Sequence, residues 1–561
     1  MRRNRIRASI AIAAATVAAT MLAVVGPSGA QNPVAKFERM RLIANFDDGG
    51  KYRNGTDMAF WGNRLLLGNL DQGTGPNASP PGGFRIMDIS DPANPRKIGQ
   101  YTCLGDQSDI SVWGDIVVLS VDKPTESRCA TDVPGNESNW EGIRVLSIAD
   151  PAHPKLLATL KTDCGSHTNT IYPDRAKNRL IVYVLSYPLA GRYNPGPATA
   201  TCNAASHRKI SVAEVPLDNP EKTKLLGTPS TGETIGCHDV TLFLERKLAG
   251  AACLTESQIW DVSNPEQPRI VSTVRDERIN IHHSTIFSND GKTMVVGDEL
   301  GGAAASPGCF SNEDTYGGLF FYDVSDPANP TQRGTYKLPQ QTVSEFCTAH
   351  LFNVVPRTDD SDVLVSSWYA GSTSVIDFTD PTNPTQVAYY VPPSTVTPDQ
   401  QTLEAAAWSS YWYNGHVFAN NFDEDVNSVE PQSRGLDVFA VDHPLVSSGT
   451  VRLKRLNPQV QEPLSEAAEP SASPSSQPKI KLSVAPKRVQ GGRFTCFRFR
   501  ARASGKPVAN ARIGFAGSRA KTDRNGRARI CRRVYRPVKP AWASKRGFRP
   551  GRAAVGVKPR R

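Results

Sequence analysis

The sequence predicts an all-β chain: a seven-bladed β-propeller followed by a small basic β-sandwich domain. Three observations lead there: a strand-and-turn motif that recurs down most of the chain, an abrupt change of composition near residue 470, and an alternating basic segment after it. Of 561 residues, 39% are apolar and 21% charged, enough for a large packed core. The 43 prolines and the low aromatic content (8%) argue against a coiled coil or helical bundle. Only the N-terminus carries an apolar run near spanning length, which excludes a polytopic membrane protein.

Residues 1–30 read as a signal peptide. Arg2, Arg3, Arg5 and Arg7 form a positive start, Ala8 to Val25 is apolar, and Ser28 and Ala30 are the small residues a signal peptidase needs. Cleavage after Ala30 leaves no transmembrane segment; the alternative is an uncleaved anchor. Ten cysteines suit an oxidising compartment: Cys103, Cys129, Cys164, Cys202, Cys237, Cys253, Cys309, Cys347, Cys496 and Cys531. Their number is even and no C-x-x-C pair suggests zinc or redox chemistry, so disulfides are expected. The expected location is secreted or extracellular, with envelope association.

The repeated motif reads FRIMDISDPANP at 84–95, IRVLSIADPAHP at 143–154, IWDVSNPEQP at 259–268, FFYDVSDPANP at 320–330 and SVIDFTDPTNP at 374–384. Weaker copies are ISVAEVPLDNP at 210–220 and LDVFAVDHP at 436–444. The closing prolines of the seven copies are 48 to 66 residues apart, so a fixed unit carries loops of variable length. In the strong copies an apolar, β-branched strand is stopped by Asp-Pro, or Asn-Pro at 264–265, since proline cannot donate to a ladder and Asp or Asn favours local turn bonding. A further strand follows. Upstream lies a strand pair such as MAFWGNRLLLG at 58–68 or ISVWGDIVVLS at 110–120, with a tight Gly-Asn or Gly-Asp turn. Each unit is a four-stranded antiparallel meander, and meanders packed round an axis make a propeller.

These repeats resemble the LVIVD-repeat proteins, a group of secreted bacterial β-propellers, over about residues 40–456. The resemblance implies the fold and little about function. Ring closure is left open between Met40–Phe46 and Val451–Leu456, either of which suits the outer strand of the last sheet.

In a propeller the loops that enter the inner strands and those between the second and third strands share one face. Eight cysteines fall there. Sequential pairing (103–129, 164–202, 237–253, 309–347) uses all of them; an offset scheme with 129–164 and 202–237 is the alternative. Cys496 and Cys531 are expected to bridge the C-terminal domain. The stapled loop face is the expected binding face for a protein or glycan ligand.

The chain has nine histidines, and aligning the inner strands puts Thr56, Ser108, His167, His238, His282, His350 and Trp408 in one column, with His283 in the column of Asp57, Asp109 and Asp239. Inner strands line the channel. His167, His238, His282, His283 and His350 are therefore candidate ligands for a transition metal ion at the channel mouth, with Asp239, Glu233 or Glu299 supplying oxygen. The competing reading is a histidine built into the repeat that only bonds neighbouring blades. His416 is expected on a second strand; His153, His207 and His443 fall in turns or loops. Asp423-Glu424-Asp425 and Asp359–Asp362 are acidic loops, with calcium the alternative to solvated turns. Trp408, Tyr411, Trp412 and Tyr413 form an aromatic strand, expected in the core, with carbohydrate stacking as the alternative. No nucleophile elbow, P-loop or H-E-x-x-H motif is present, and no catalytic residue stands out.

Charge divides the chain. Residues 479–561 hold 26 Lys and Arg against one acid, Asp523, so residues 31–478 carry about −18 within a total of +11. The expected layout is a propeller over 31–460, a Pro/Ser-rich linker over 461–478 and a basic domain over 479–561. The stretch 505–511 (GKPVANA) with 522–526 (TDRNG) resembles bacterial Ig-like and carboxypeptidase-regulatory-like sandwich modules. Such a surface attracts an anionic cell-envelope polymer, or the acidic propeller itself; no base-reading motif points to specific nucleic-acid recognition. The function expected from sequence is a non-catalytic binding scaffold held at the envelope. The alternative is a His-ligated, metal-dependent enzyme of oxidase or lyase type.

Overall fold

The computed structural model describes residues 35–558 apart from 48–54, 71–81, 104, 106, 123–140, 189–206, 301–316, 340–346, 394, 397–401, 404, 424–433, 469–478, 536–539 and 546–550. The signal peptide therefore lies outside the described residues. No helix among those described is long and apolar enough to cross a membrane.

The chain divides into two units, one of residues 1–450 with 455–462, the other of 451–454 with 463–561. The large unit is propeller-like and holds seven sheets of four or five strands, six built on a four-stranded antiparallel meander and one on a three-stranded meander, beside a two-stranded pair. Their innermost strands are Gly55–Trp61, Ile110–Trp113, Thr168–Asp174, Asp239–Phe243, His282–Phe287, Phe352–Val354 and Ala405–Tyr413, numbered here as sheets 1 to 7. Each inner strand neighbours the next, and that of sheet 7 neighbours that of sheet 1. Both faces of every sheet meet another sheet, so the second strands are buried along their length, as in Arg179–Leu185. Each fully buried Val, Leu or Ile there contributes about 1.5–3 kcal/mol.

Sheet 7 is completed by Met40–Phe46, which pairs antiparallel with Leu436–Val441. This decides between the two closures open in the sequence. The C-terminal candidate does something else: Arg455–Leu456 lies along the inner strand of sheet 1, and Val460–Gln461 runs parallel to that of sheet 4.

The Asp-Pro repeats form the turns between third and fourth strands. In the first copy Asp88 accepts the Ser90 N–H at 2.9 Å, and Asp91 accepts the Ala93 N–H at 3.2 Å and the Asn94 amide at 2.9 Å. His153 replaces that asparagine in the second copy, its Nδ1 2.9 Å from Asp150. The motif is thus a turn device, which is why it recurs irrespective of chemistry.

The small unit has one four-stranded group around Phe494–Ala503 and another ordered Ser518–Lys521, Arg512–Phe515, Ala541–Ser544 and Gly551–Ala553. Phe497, Phe499 and Ala501 from the first and Ile513, Phe515 and Ala543 from the second share one apolar core. The expected linker 461–478 is partly structured: Gln461 ends a strand and Leu464–Ala467 forms a helical turn, while 469–478 fall outside the described residues.

Cys237–Cys253 and Cys496–Cys531 are disulfides, so the offset scheme with 202–237 is excluded. Cys103, Cys164 and Cys347 are also disulfide-bonded; Cys129, Cys202 and Cys309 lie outside the described residues.

Candidate metal centre in the channel

The inner strands begin irregularly. Register shifts fall between Gly55 and Met58, His282 and Ser284, and Ala407 and Ser409. In sheet 5 this matters chemically. His282 pairs with Asp298 and Ser284 with Gly297, leaving His283 as the extra residue of a bulge. The bulge turns His283 towards the other histidines and His282 away. His282 Nδ1 bonds Ser257 Oγ at 2.8 Å in sheet 4 instead. Simple strand alignment put His282 in the column; one inserted residue moves that place to His283.

His167, His238, His283 and His350, from sheets 3 to 6, form a continuous stack. Successive ring centroids lie 4.5, 3.7 and 4.7 Å apart. All four are at most 5% exposed. Asp122, at the end of the second strand of sheet 2, lies 2.6 Å from His167 Nδ1. His167 Nε2 in turn lies 2.9 Å from His238 Nε2. Cys237, just before His238, is tied to Cys253, which fixes the start of that strand.

At the other end of the stack the tautomer of His350 is set by its neighbour. Nδ1 lies 2.5 Å from the Trp408 carbonyl, which can only accept, so Nδ1 carries the proton. Nε2 then presents a lone pair, and it faces Glu299 Oε1 at 3.7 Å. His283 Nε2 lies 3.4 Å from Glu299 Oε2, while its Nδ1 is buried without a partner. Tyr369 donates to Glu299 Oε1 at 2.5 Å and holds the carboxylate in place. Burial pushes His350 down to about 3, and burial with the neighbouring imidazoles pushes His283 far below its ordinary value, so both rings are neutral.

Ligand donors can converge in two ways. His283, Glu299 and His350 bring one atom each within 4.8 Å of one another, as do His238, Asp239 and His283. Donors at 2.0–2.2 Å from a tetrahedral ion are roughly 3.3–3.6 Å apart, and the 3.4 and 3.7 Å separations at Glu299 sit in or next to that range. Asp239 Oδ2 lies 3.5 Å from His238 Nδ1, and neither Asp239 oxygen has a close hydrogen bond; Thr168 donates to the His238 carbonyl. Burial raises Asp239 to about 6.

Asp57 and Asp109 border the same cavity as His238, Asp239 and His283. Asp57 accepts from Tyr411 and from Gln459 Nε2 (2.8 Å), and Asp109 accepts from the Asn169 N–H at 2.7 Å. Burial raises both carboxyls, and the Asp57 charge raises Asp109 further. Thr56, Asp57, Asp109, His238, Asp239, His283, His350 and Trp408 line a small cavity of about 20 Å³, room for an ion or about one water.

The far ends of the same strands are closed by residues 455–462. Arg455 lies over Trp61 and Trp113, with guanidinium-to-centroid distances of 5.3 and 4.4 Å, and forms a paired contact with Glu462. Asn457 bonds both backbone groups of Val112 (2.8 and 3.0 Å), and Gln461 both groups of Phe287 (2.9 and 2.7 Å). These side-chain amides stand in for a further strand on inner edges that face the channel. No periodic signal marks this strap in the sequence, since amide side chains rather than a strand pattern make its contacts.

The other sequence candidates fall elsewhere. Glu233 is exposed and paired with Arg208. Asp359 is paired with Arg357, and Asp362 accepts from Asn289 at 2.8 Å. Trp408, Tyr411, Trp412 and Tyr413 are buried in the core. His207 is buried beside Ser186, and His443 precedes a helical turn. Sequence reading missed Asp122, Tyr369 and Gln459. Asp122 had a usable signal: it directly follows a second strand, much as Asp298 ends one next to Glu299.

A model of the LVIVD repeat matches residues 78–103. A search of curated proteins finds no match to the chain. Among solved structures, a protein from Lactobacillus plantarum aligns at 13% identity over 70% of this chain and 99% of its own, with a TM-score of 0.40. The periplasmic gluconolactonase PpgL of Pseudomonas aeruginosa aligns at 11% identity over 70% and 99%, TM-score 0.38. A hypothetical selenium-binding protein from Sulfolobus tokodaii aligns at 11% over 63% and 90%, TM-score 0.37. At such scores these likenesses carry no argument about fold or chemistry; both rest on the sheets and side chains described above.

Proposed function

We propose that this chain is an exported seven-bladed propeller, followed by an Ig-like sandwich, that holds a transition metal ion at its channel mouth. The seven meander sheets, the ring of neighbouring inner strands and the disulfides support the first part. One observation carries the second: two neutral imidazoles aim their Nε2 atoms at the oxygens of one buried carboxylate, at 3.4 and 3.7 Å. The His350 Nε2 lone pair facing this carboxylate in a low-dielectric site is repulsive, and a cation between them removes the repulsion. His283, His350 and Glu299 are the ligands, with His238 and Asp239 beside them. Imidazole with carboxylate suits zinc, copper, iron or manganese. Such an ion supplies Lewis-acid or redox chemistry, so oxidase and lyase substrates are the classes to screen.

The second reading is a metal-free binding scaffold. It draws on the ring stacking itself, since the 3.7 Å contact between His238 and His283 also packs the channel.

Elemental analysis of the secreted chain decides between them. The metal reading expects about one ion per chain, absent from the His283→Ala/His350→Ala form and retained in His282→Ala. No ion in any of the three, all folded, leaves the scaffold reading.

A further inference from the structure

The small unit presents a cationic face that the channel chemistry does not use. On the sheet ordered Ser518–Lys521, Arg512–Phe515, Ala541–Ser544 and Gly551–Ala553, Arg519 lies opposite Gly514, Gly514 opposite Trp542, and Trp542 opposite Arg552. Directly paired residues share a face. The row is therefore Arg519, Gly514, Trp542, Arg552, and Arg512 and Lys521 stand two positions further along on the same side. Every side chain in it is exposed: the opposite face carries Ile513, Phe515 and Ala543 into the core.

Trp542 is held rather than mobile. A Cβ at Gly514 would collide with its indole, so the ring lies flat on the glycine. One face is packed and the other is open, with the residue 39% exposed. Tyr535, 59% exposed, and Arg532 and Arg533 stand with Trp542 and Arg519 around one groove. Arg532 Nε is buried without a partner. No compensating acid is near in sequence: Asp523 is the only one after residue 479, and it accepts backbone N–H groups of Asn525 and Arg527.

We propose that this face binds an acidic polysaccharide, one sugar ring stacking on Trp542 and its neighbours' carboxylates held by Arg519 and Arg552. A flat, pre-ordered indole face suits a pyranose ring at low entropic cost. Arginines on both sides, one and two strands away, suit charges that recur along a polymer, and guanidinium binds carboxylate in a paired geometry. Single-stranded nucleic acid is the poorer fit, because it uses aromatic rings at successive base positions, and this row has one.

The proposal is independent of the metal centre. The test uses the full chain with polygalacturonate, neutral dextran and a single-stranded oligonucleotide as probes, in low salt and at 0.15 M. Expected is binding of polygalacturonate at both salts, no binding of dextran, and quenching of tryptophan fluorescence on binding. Arg519→Gln/Arg552→Gln is expected to weaken binding roughly tenfold or more with an unchanged melting temperature. Trp542→Leu should do the same and remove the quenching. Equal binding by wild type and the arginine variant overturns the proposal. So does tighter binding of the oligonucleotide, or binding that disappears at 0.15 M salt and gives no quenching, which would be charge attraction alone.

Discussion

The two ends of the channel are built on the same strands and finish in opposite ways. The inner strand of sheet 5 carries near its start His283, whose Nδ1 has no partner, and ends at Phe287, whose backbone groups are both bonded by Gln461. At the strap end each polar group has found its complement: Arg455 with Glu462, Asn457 with Val112, Gln461 with Phe287. At the histidine end, the His350 Nε2 lone pair faces Glu299 Oε1, and His283 Nδ1 is unpaired. Buried polar groups are normally satisfied, so the unsatisfied end is where a ligand belongs, and the satisfied end is what keeps it rigid.

The sharpest way to break this comparison is at the strap. Arg455 and Glu462 are 8% and 6% exposed at the side chain, and removing Arg455 leaves the buried Glu462 charge with the half-exposed Arg175 alone. Arg455→Ala should cost about 3–5 kcal/mol in denaturant unfolding, without directly altering any proposed metal ligand. A cost near zero would mean the strap merely lies on the strands. Next in size is Cys237→Ser/Cys253→Ser, expected to cost about 3 kcal/mol. Because the bridge fixes the residue before His238, weakened metal retention should accompany it; unaltered retention would separate the staple from the site.

Glu141 offers a pH test at the histidine end. Burial, then the Asp122 charge, raises it to about 7. A carboxyl raised on folding keeps its proton in the folded state after the unfolded state has lost it, so stability falls as pH rises from about 4.5 to about 7. Glu141→Gln should therefore match wild type below pH 4.5 and be more stable above pH 7 by up to about 2 kcal/mol, discounted for its partial exposure. Equal stability across that range would refute the shift. The smallest effect is expected at Gln461→Ala, about 1 kcal/mol, since water can take over part of its bonding to Phe287.

The repeats carried the sheets. An alternating apolar strand, an Asp-Pro stop and a second turn asparagine are local rules, legible one copy at a time, and they placed the third strand of each meander well. The histidine column was legible as a cluster and misplaced by one residue in sheet 5. A bulge is invisible to period-two reasoning, because inserting one residue leaves composition untouched and exchanges the faces beyond it. Asp122, Tyr369 and the strap were not legible, since each meets its partner from a different sheet or after a long return of the chain.

By itself, then, the sequence determined the all-β meander, the turn chemistry and the charge division, because strand period, turn preference and residue charge act over a few residues, while the structure chose between its two cysteine schemes. Tertiary structure alone decided that Met40–Phe46 completes sheet 7, that His283 rather than His282 joins the stack, and that residues 455–462 close the far end of the channel. Those outcomes depend on which buried donors and acceptors remain unpaired once the ring of sheets has formed, and that accounting exists only in three dimensions.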